Sequence, residues 1–145
     1  MSVDFVYEFS PFTIEAGKVR EFAKALGFEN PVYEEISAAK GKGLPNIPVP
    51  PTFSAVIDYW NKRDLYLMFE QLGLKPEDVL HGEQAFEYKS RMFVGDVIYA
   101  KTKLLKKIEK KGKNFYFLQT IYNNQFDEVL LISHATLIEI VEVAT

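Results

Sequence analysis

The sequence predicts an α+β domain with a mostly antiparallel sheet. Two observations carry that prediction. Apolar residues recur at helical spacing through much of residues 13–72, and four strand-length segments separated by turn residues fill most of residues 81–143. At 145 residues the chain is long enough to bury a core of its own, and it reads as one domain, 1–145.

Val3 to Phe9 alternates apolar and polar residues as a short strand closed by Ser10-Pro11. Thr13 offers an N-cap to a helix whose Val19, Phe22, Ala23 and Leu26 share one face, and Gly27 sits where a C-terminal glycine belongs. A shorter helical turn follows over Glu34 to Lys40. Gly41 to Pro51 holds two Gly and four Pro and reads as an irregular loop. From about Phe53 to Leu72 the spacing predicts one long central helix, with Leu65, Met68, Phe69 and Leu72 on one face, Gly73 at its end and Pro76 beyond.

The strands follow as His81 to Lys89, Asp96 to Glu109, Asn114 to Tyr122 and Val129 to Val143. Gly95-Asp96, Lys111-Gly112-Lys113 and Asn123-Asn124 mark the turns. Phe115, Phe117, Gln119 and Ile121 alternate with Tyr116, Leu118, Thr120 and Tyr122, so both faces of this strand are largely apolar. Such a strand belongs in the middle of a sheet covered on both sides.

Composition narrows the function classes. A net charge of −3 with no domain-wide basic excess gives no reason to expect nucleic acid. With no Cys and two His, thiolate and multi-histidine metal sites lack ligands, and no cofactor is expected. Met1-Ser2-Val3-Asp4-Phe5 has no basic region followed by an apolar run, and no window approaches the ~20 apolar residues of a membrane span. The expectation is a cytoplasmic protein. Aromatic content of 14%, with 12 Phe and 8 Tyr, suits strands lining an apolar tunnel.

Phe22-Ala23, Gly27 and Asn30-Pro31 form the frame of a helix-to-loop motif, Phe-Ala…Gly-Asp-x-Asn-Pro-x-His. Phe28 stands at its Asp and Tyr33 at its His. Pro50-Pro51-Thr52-Phe53, His81-Gly82-Glu83-Gln84-Ala85-Phe86-Glu87-Tyr88 and Val94-Gly95-Asp96 follow in order. Together these stretches resemble the MaoC-like dehydratase N-terminal domain (the FAS1-like dehydratase domain) of the hot-dog superfamily, from about Phe9 to Leu137. The resemblance implies a hot-dog fold, an antiparallel sheet wrapped around a long central helix. It also implies binding of an acyl-CoA or acyl carrier protein thioester within a (3R)-hydroxyacyl dehydratase or enoyl hydratase. A partner hot-dog chain of the catalytic MaoC type would supply the Asp/His dyad, with a homodimer as the other arrangement. Members of this type shape the acyl tunnel, which would place Asn30, Tyr33, His81 and Gln84 at the substrate and leave Pro31, Pro51, Gly95 and Asp96 as framework.

Chemistry explains why the missing dyad matters. Hydration of a 2,3-enoyl thioester needs a base, an acid for the α-carbon and donors for the thioester oxyanion. Phe28 supplies none, and a phenol such as Tyr33 is a poor base at neutral pH. His81 either orients substrate, acts as a substitute base with Glu83 two positions along the same strand face, or satisfies backbone groups with Gln84. His134 reads as a satisfied sheet residue. Asp96 reads as a turn cap, with Gly95 allowing the turn. Seven lysines between Lys101 and Lys113 read either as a docking patch for anionic carriers or as a solvated hairpin protecting its edge. Two alternatives stay open: a self-sufficient homodimeric hydratase or thioesterase with a rebuilt site, and a non-enzymatic binder of acyl-CoA or another apolar ligand.

Overall fold

A computed structural model describes residues 4–141. Met1-Ser2-Val3 and the predicted strand end at Val143 lie outside the described residues.

Among the described residues six strands form one antiparallel sheet: β1 (Val6–Glu8), β2 (Phe12–Thr13), β3 (Val79–Tyr88), β4 (Val97–Lys110), β5 (Lys113–Asn123) and β6 (Val129–Ile140). The order is β1-β4-β5-β6-β3, and β2 pairs with a short stretch of β4. Four helices precede β3: α1 (Ala16–Ala25), α2 (Ile36–Gly41), α3 (Ser54–Trp60) and α4 (Asp64–Leu72). Val56 and Ile57 of α3 and Met68 and Leu72 of α4 share a core with Ile98, Leu104, Leu118 and Tyr122 of the sheet. Phe53 is fully buried ahead of α3 and meets Phe22 and Phe12 edge to face, at ring-centroid distances of 5.7 and 6.3 Å.

Local signals explain most boundaries. Gly27 adopts φ 78° after α1, so its amide reaches Lys24 O and the Phe28 amide reaches Ala23 O, the paired closure of a Schellman motif. Lys111 and Gly112 both have positive φ, which gives the β4–β5 hairpin a two-residue turn whose twist matches its strands. Asn124 Oδ1 accepts from the Phe126 and Glu128 amides and shapes the β5–β6 turn.

Three expectations need correction. The helix from Phe53 to Leu72 is two helices, because Lys62 and Arg63 sit at φ 51° and 70° between them. Polar anchors hold that break: the Asn61 side-chain amide donates to Ser10 O, and Asp64 accepts from Tyr7 and from the Ser10 amide. Thr13 does not cap α1. It pairs with Val97 in β2, and Glu15 takes the N-cap position. Central β5 has its inner residues Tyr116, Leu118 and Tyr122 buried, whereas its outer Phe115, Phe117 and Ile121 are only partly buried. Lysine stems shield part of that outer face, with Lys106 Nζ 4.5 Å from the Phe117 ring centroid.

Candidate functional site

The loop after α1 is built as its sequence suggests. Asn30 Oδ1 accepts from the Val32 amide at 3.1 Å and Pro31 opens a single 3₁₀ turn, Pro31–Tyr33. Arg20 Nε donates to Glu34 O at 2.9 Å and ties the loop to α1. The turn brings positions 28 and 33 together. The Phe28 and Tyr33 rings pack at a centroid distance of 5.6 Å and an interplanar angle of 35°. An aromatic pair therefore occupies the place where the motif calls for a carboxylate and an imidazole.

Tyr33 lines a cavity of about 460 Å³ together with Pro50, Pro51, Ser54, Tyr88 and Leu131. Tyr88 Oη donates to Pro51 O at 2.8 Å, fastening β3 to the proline-rich loop. A second recess of about 70 Å³ lies between α3 and the inner face of the sheet. Its polar wall holds Asp58, His81, Gln84, Thr102, Thr120 and Ser133. Ser54 on the first cavity and Asp58 on the second are one helical turn apart, so α3 presents a residue to each.

Asp58 and Tyr122 are the two groups of the site that burial shifts. Tyr122 Oη donates to its Oδ1 at 2.6 Å. Burial pushes the Asp58 carboxyl up to about 6, although the Tyr122 hydrogen bond works in the opposite direction. Burial likewise raises the Tyr122 phenol, with the neighbouring Asp58 charge adding to the effect. By surface area, however, Asp58 is only partly buried. A carboxylate enclosed by protein but still accessible lines a recess, and that is where Asp58 lies.

The residues expected at the substrate do not converge in one place. Asn30 is engaged within its own loop. Tyr33 belongs to the larger cavity, and His81 and Gln84 to the smaller. Gln84 Nε2 donates to Ser133 Oγ and to His134 O, both at 3.2 Å.

His81 and Glu83 are not on one strand face. His81 pairs with Leu137 of β6 and Glu83 with Thr136, which are successive residues with opposite orientations. A bulge at Gly82 causes the reversal, and a Cβ there would lie 2.9 Å from Ile138 Cδ1 and 3.3 Å from Thr136 O. His134 is on the outer face, its ring 3.1 Å from Gln119 Nε2. Asp96 Oδ2 accepts from the Phe93 amide at 2.9 Å, and Gly95 turns there with φ 95°. Pro51 lines the larger cavity.

Sequence reasoning missed Asp58 and Tyr122. The only local signal is one carboxylate within the apolar run Phe53 to Trp60, and its partner is 64 residues away. Among the described residues no cluster of three or more His, Cys, Asp or Glu could hold a metal, and no helix is long and apolar enough to cross a membrane.

Residues 3–132 match the family described as the FAS1-like, dehydratase domain region. The chain belongs to that family. A UPF0336 protein of Tropheryma whipplei (strain Twist) is 36% identical over 92 residues, covering 63% of this chain and 64% of the relative. One from Streptomyces coelicolor is 38% identical over 87 residues, covering 60% of this chain and 57% of the relative. These alignments span less than two thirds of those relatives.

Solved structures show the fold this FAS1-like dehydratase domain shares. A C-terminally truncated HadBC (3R-hydroxyacyl-ACP dehydratase) complex from Mycobacterium tuberculosis superimposes with TM-score 0.79 at 18% identity, covering 95% of this chain and 98% of that one. The ChsH1-ChsH2 complex from the same organism gives 0.71 at 16% identity, covering 95% and 91%. The (R)-hydratase from A. caviae involved in PHA biosynthesis gives 0.76 at 20%, covering 94% and 96%. The fold is the hot dog, with its central helix here divided into α3 and α4.

Proposed function

We propose that this chain is the acyl-thioester-binding subunit of a (3R)-hydroxyacyl dehydratase or enoyl hydratase, with the catalytic Asp and His on a partner chain. The Phe28–Tyr33 ring pair carries this reading: the loop is intact, yet its two chemical positions hold a phenyl and a phenol ring in place of the carboxylate and imidazole. Two of the structures that share the fold are complexes, HadBC, a (3R)-hydroxyacyl-ACP dehydratase, and ChsH1-ChsH2, and they lend it support.

The chain's share of the work is to hold the acyl group. The two recesses between α3 and β3 offer apolar walls with a few polar groups, the usual character of a small-molecule site. Among the described residues strand β3 is an edge strand that pairs only with β6, and nearly all of its residues are exposed. A second hot-dog chain adding a strand along that edge would cover it and roof the recesses. A stable interface of this kind usually buries at least about 1,200 Å² in total. Such an assembly fits the cytoplasm, where acyl thioesters of coenzyme A and carrier proteins are metabolised.

A rebuilt site using His81 with Glu83 gains no support, since the Gly82 bulge turns the two side chains to opposite faces. The test follows hydration of crotonyl-coenzyme A by loss of enoyl-thioester absorbance. The chain alone is expected to be silent, with turnover appearing when a MaoC-type chain carrying the Asp/His pair is added. Turnover by the pure chain would overturn the subunit reading. Silence in both cases, with saturable acyl-CoA binding, would instead make the chain a binding module.

A further inference from the structure

Nothing in the proposed subunit role requires a partly buried carboxylate beneath the sheet, yet Asp58 is held there. Its Oδ1 is engaged by Tyr122 at 2.6 Å. Among the described residues no other hydrogen bond or ion pair to Asp58 is present, which leaves Oδ2 for whatever occupies the recess. A purely structural tie between α3 and β5 would be better served by a neutral residue, because a charged one incurs desolvation on every folding event.

The surroundings define what Oδ2 can recognise. Gln84 has its side-chain amide directed to Ser133 and to the His134 carbonyl. Thr102 and Thr120 hydroxyls are 2.7 Å apart and satisfy each other. The remaining wall is apolar, from Phe9, Leu65, Met68, Phe69, Leu118 and Leu137. His81 of β3 is the one other titratable group on the wall besides Tyr59 of α3. A recess of about 70 Å³ has room for several waters at about 10–15 Å³ each, or for a short chain of a few heavy atoms. It is therefore a recess of mixed lining in which Asp58 is the one carboxylate.

We propose that this recess selects ligands carrying a hydrogen-bond donor, a hydroxyl on an otherwise apolar chain, through the free oxygen of Asp58. Tyr122 is the positioning residue that fixes the carboxylate's orientation. A plain hydrocarbon segment placed there would strip water from Oδ2 and return no hydrogen bond, so it is disfavoured. As a statement about acyl groups the inference rests on the thioester reading above. The chemistry of the recess does not, and it can be tested without any thioester.

Butan-1-ol and diethyl ether are isomers of the same size, and only the alcohol donates. Each is titrated into the full chain at pH 8, with binding followed by amide chemical shifts of Asp58, Tyr122 and Ser133. The alcohol is expected to shift these amides saturably, with the ether about tenfold or more weaker. Asp58→Asn keeps the shape and lowers the acceptor strength, so the preference should shrink. Tyr122→Phe should keep a preference for the donor while weakening the alcohol. Equal binding of the two isomers, undiminished preference in Asp58→Asn, or no binding of either would overturn the inference. None of these results touches the crotonyl-coenzyme A test, so the two ideas fail separately.

Discussion

Tyr7 and Asp64 meet across 57 residues, the phenol donating to the carboxylate at 2.7 Å with both side chains buried. The contact joins edge strand β1 to the first turn of α4. The Ser10 amide donates to the other carboxylate oxygen at 3.0 Å. Tyr7→Phe removes one donor from a buried acceptor and is expected to cost about 1–3 kcal/mol in urea unfolding at pH 7. Burial, with Asp64 beside it, pushes the Tyr7 hydroxyl up to about 12. A pKa raised on folding gives stability that is intact below the unfolded value of 10.0 and is lost as pH rises towards 12. The gap between wild type and Tyr7→Phe should therefore narrow above pH 10, and a constant gap would contradict the assignment.

Asp58→Asn should stabilise the protein at pH 8. The folded carboxyl holds its proton to about pH 6, whereas the unfolded one releases it near 3.8. The native state thus gives up stability as pH rises from 3.8 through 6, by about 3 kcal/mol at most. Asparagine still accepts from Tyr122 without carrying the charge. Thermal melts should show the variant ahead at pH 8 and level with wild type at pH 4. A variant that is less stable at both pH values would mean the carboxylate is structural.

Gly82→Ala is expected to cost about 1–3 kcal/mol, because the new Cβ crowds Ile138 and the Thr136 carbonyl. The nearest atom, at 2.9 Å, is Ile138 Cδ1, which Ile138→Val deletes. The double variant should recover part of the loss in urea unfolding. Strict additivity would show that the bulge does not depend on this contact.

The exposed edge at β3 makes a prediction about assembly. Phe86 and Tyr88 pack their rings 6.0 Å apart on that strand, and both are exposed. Phe86→Lys places a charge at the edge and should weaken association with itself or a MaoC-type chain by tenfold or more, with little change in melting temperature. Sedimentation velocity checks this, and unchanged association would move the interface elsewhere.

The long strands were legible because turn chemistry bounds each of them, as Lys111-Gly112 and Asn124 show, whereas two-residue β2 is too short for any pattern. The break at Lys62-Arg63 was not. Neither residue favours positive φ, and the cause is tertiary: Asn61 and Asp64 are drawn to Ser10 and Tyr7 more than 50 residues away. The site divides the same way. The Asn30-Pro31 frame could be read locally, whereas the facing of His81 and Glu83 turned on a bulge, and Asp58 gains its meaning only from Tyr122.

Strand β3 precedes β4 in the chain but, among the described residues, bonds only to β6, the last strand in sequence. Its ladder must therefore wait until the β4–β5–β6 meander exists, and closing it spans a long intervening segment. During synthesis the helices and the meander can emerge and collapse first, while β3 remains without a partner. The wall bearing His81 and Gln84 is thus the last part of the recess to be completed. Substitutions that loosen β6 should slow the appearance of binding during refolding more than they slow formation of the β4–β5 hairpin.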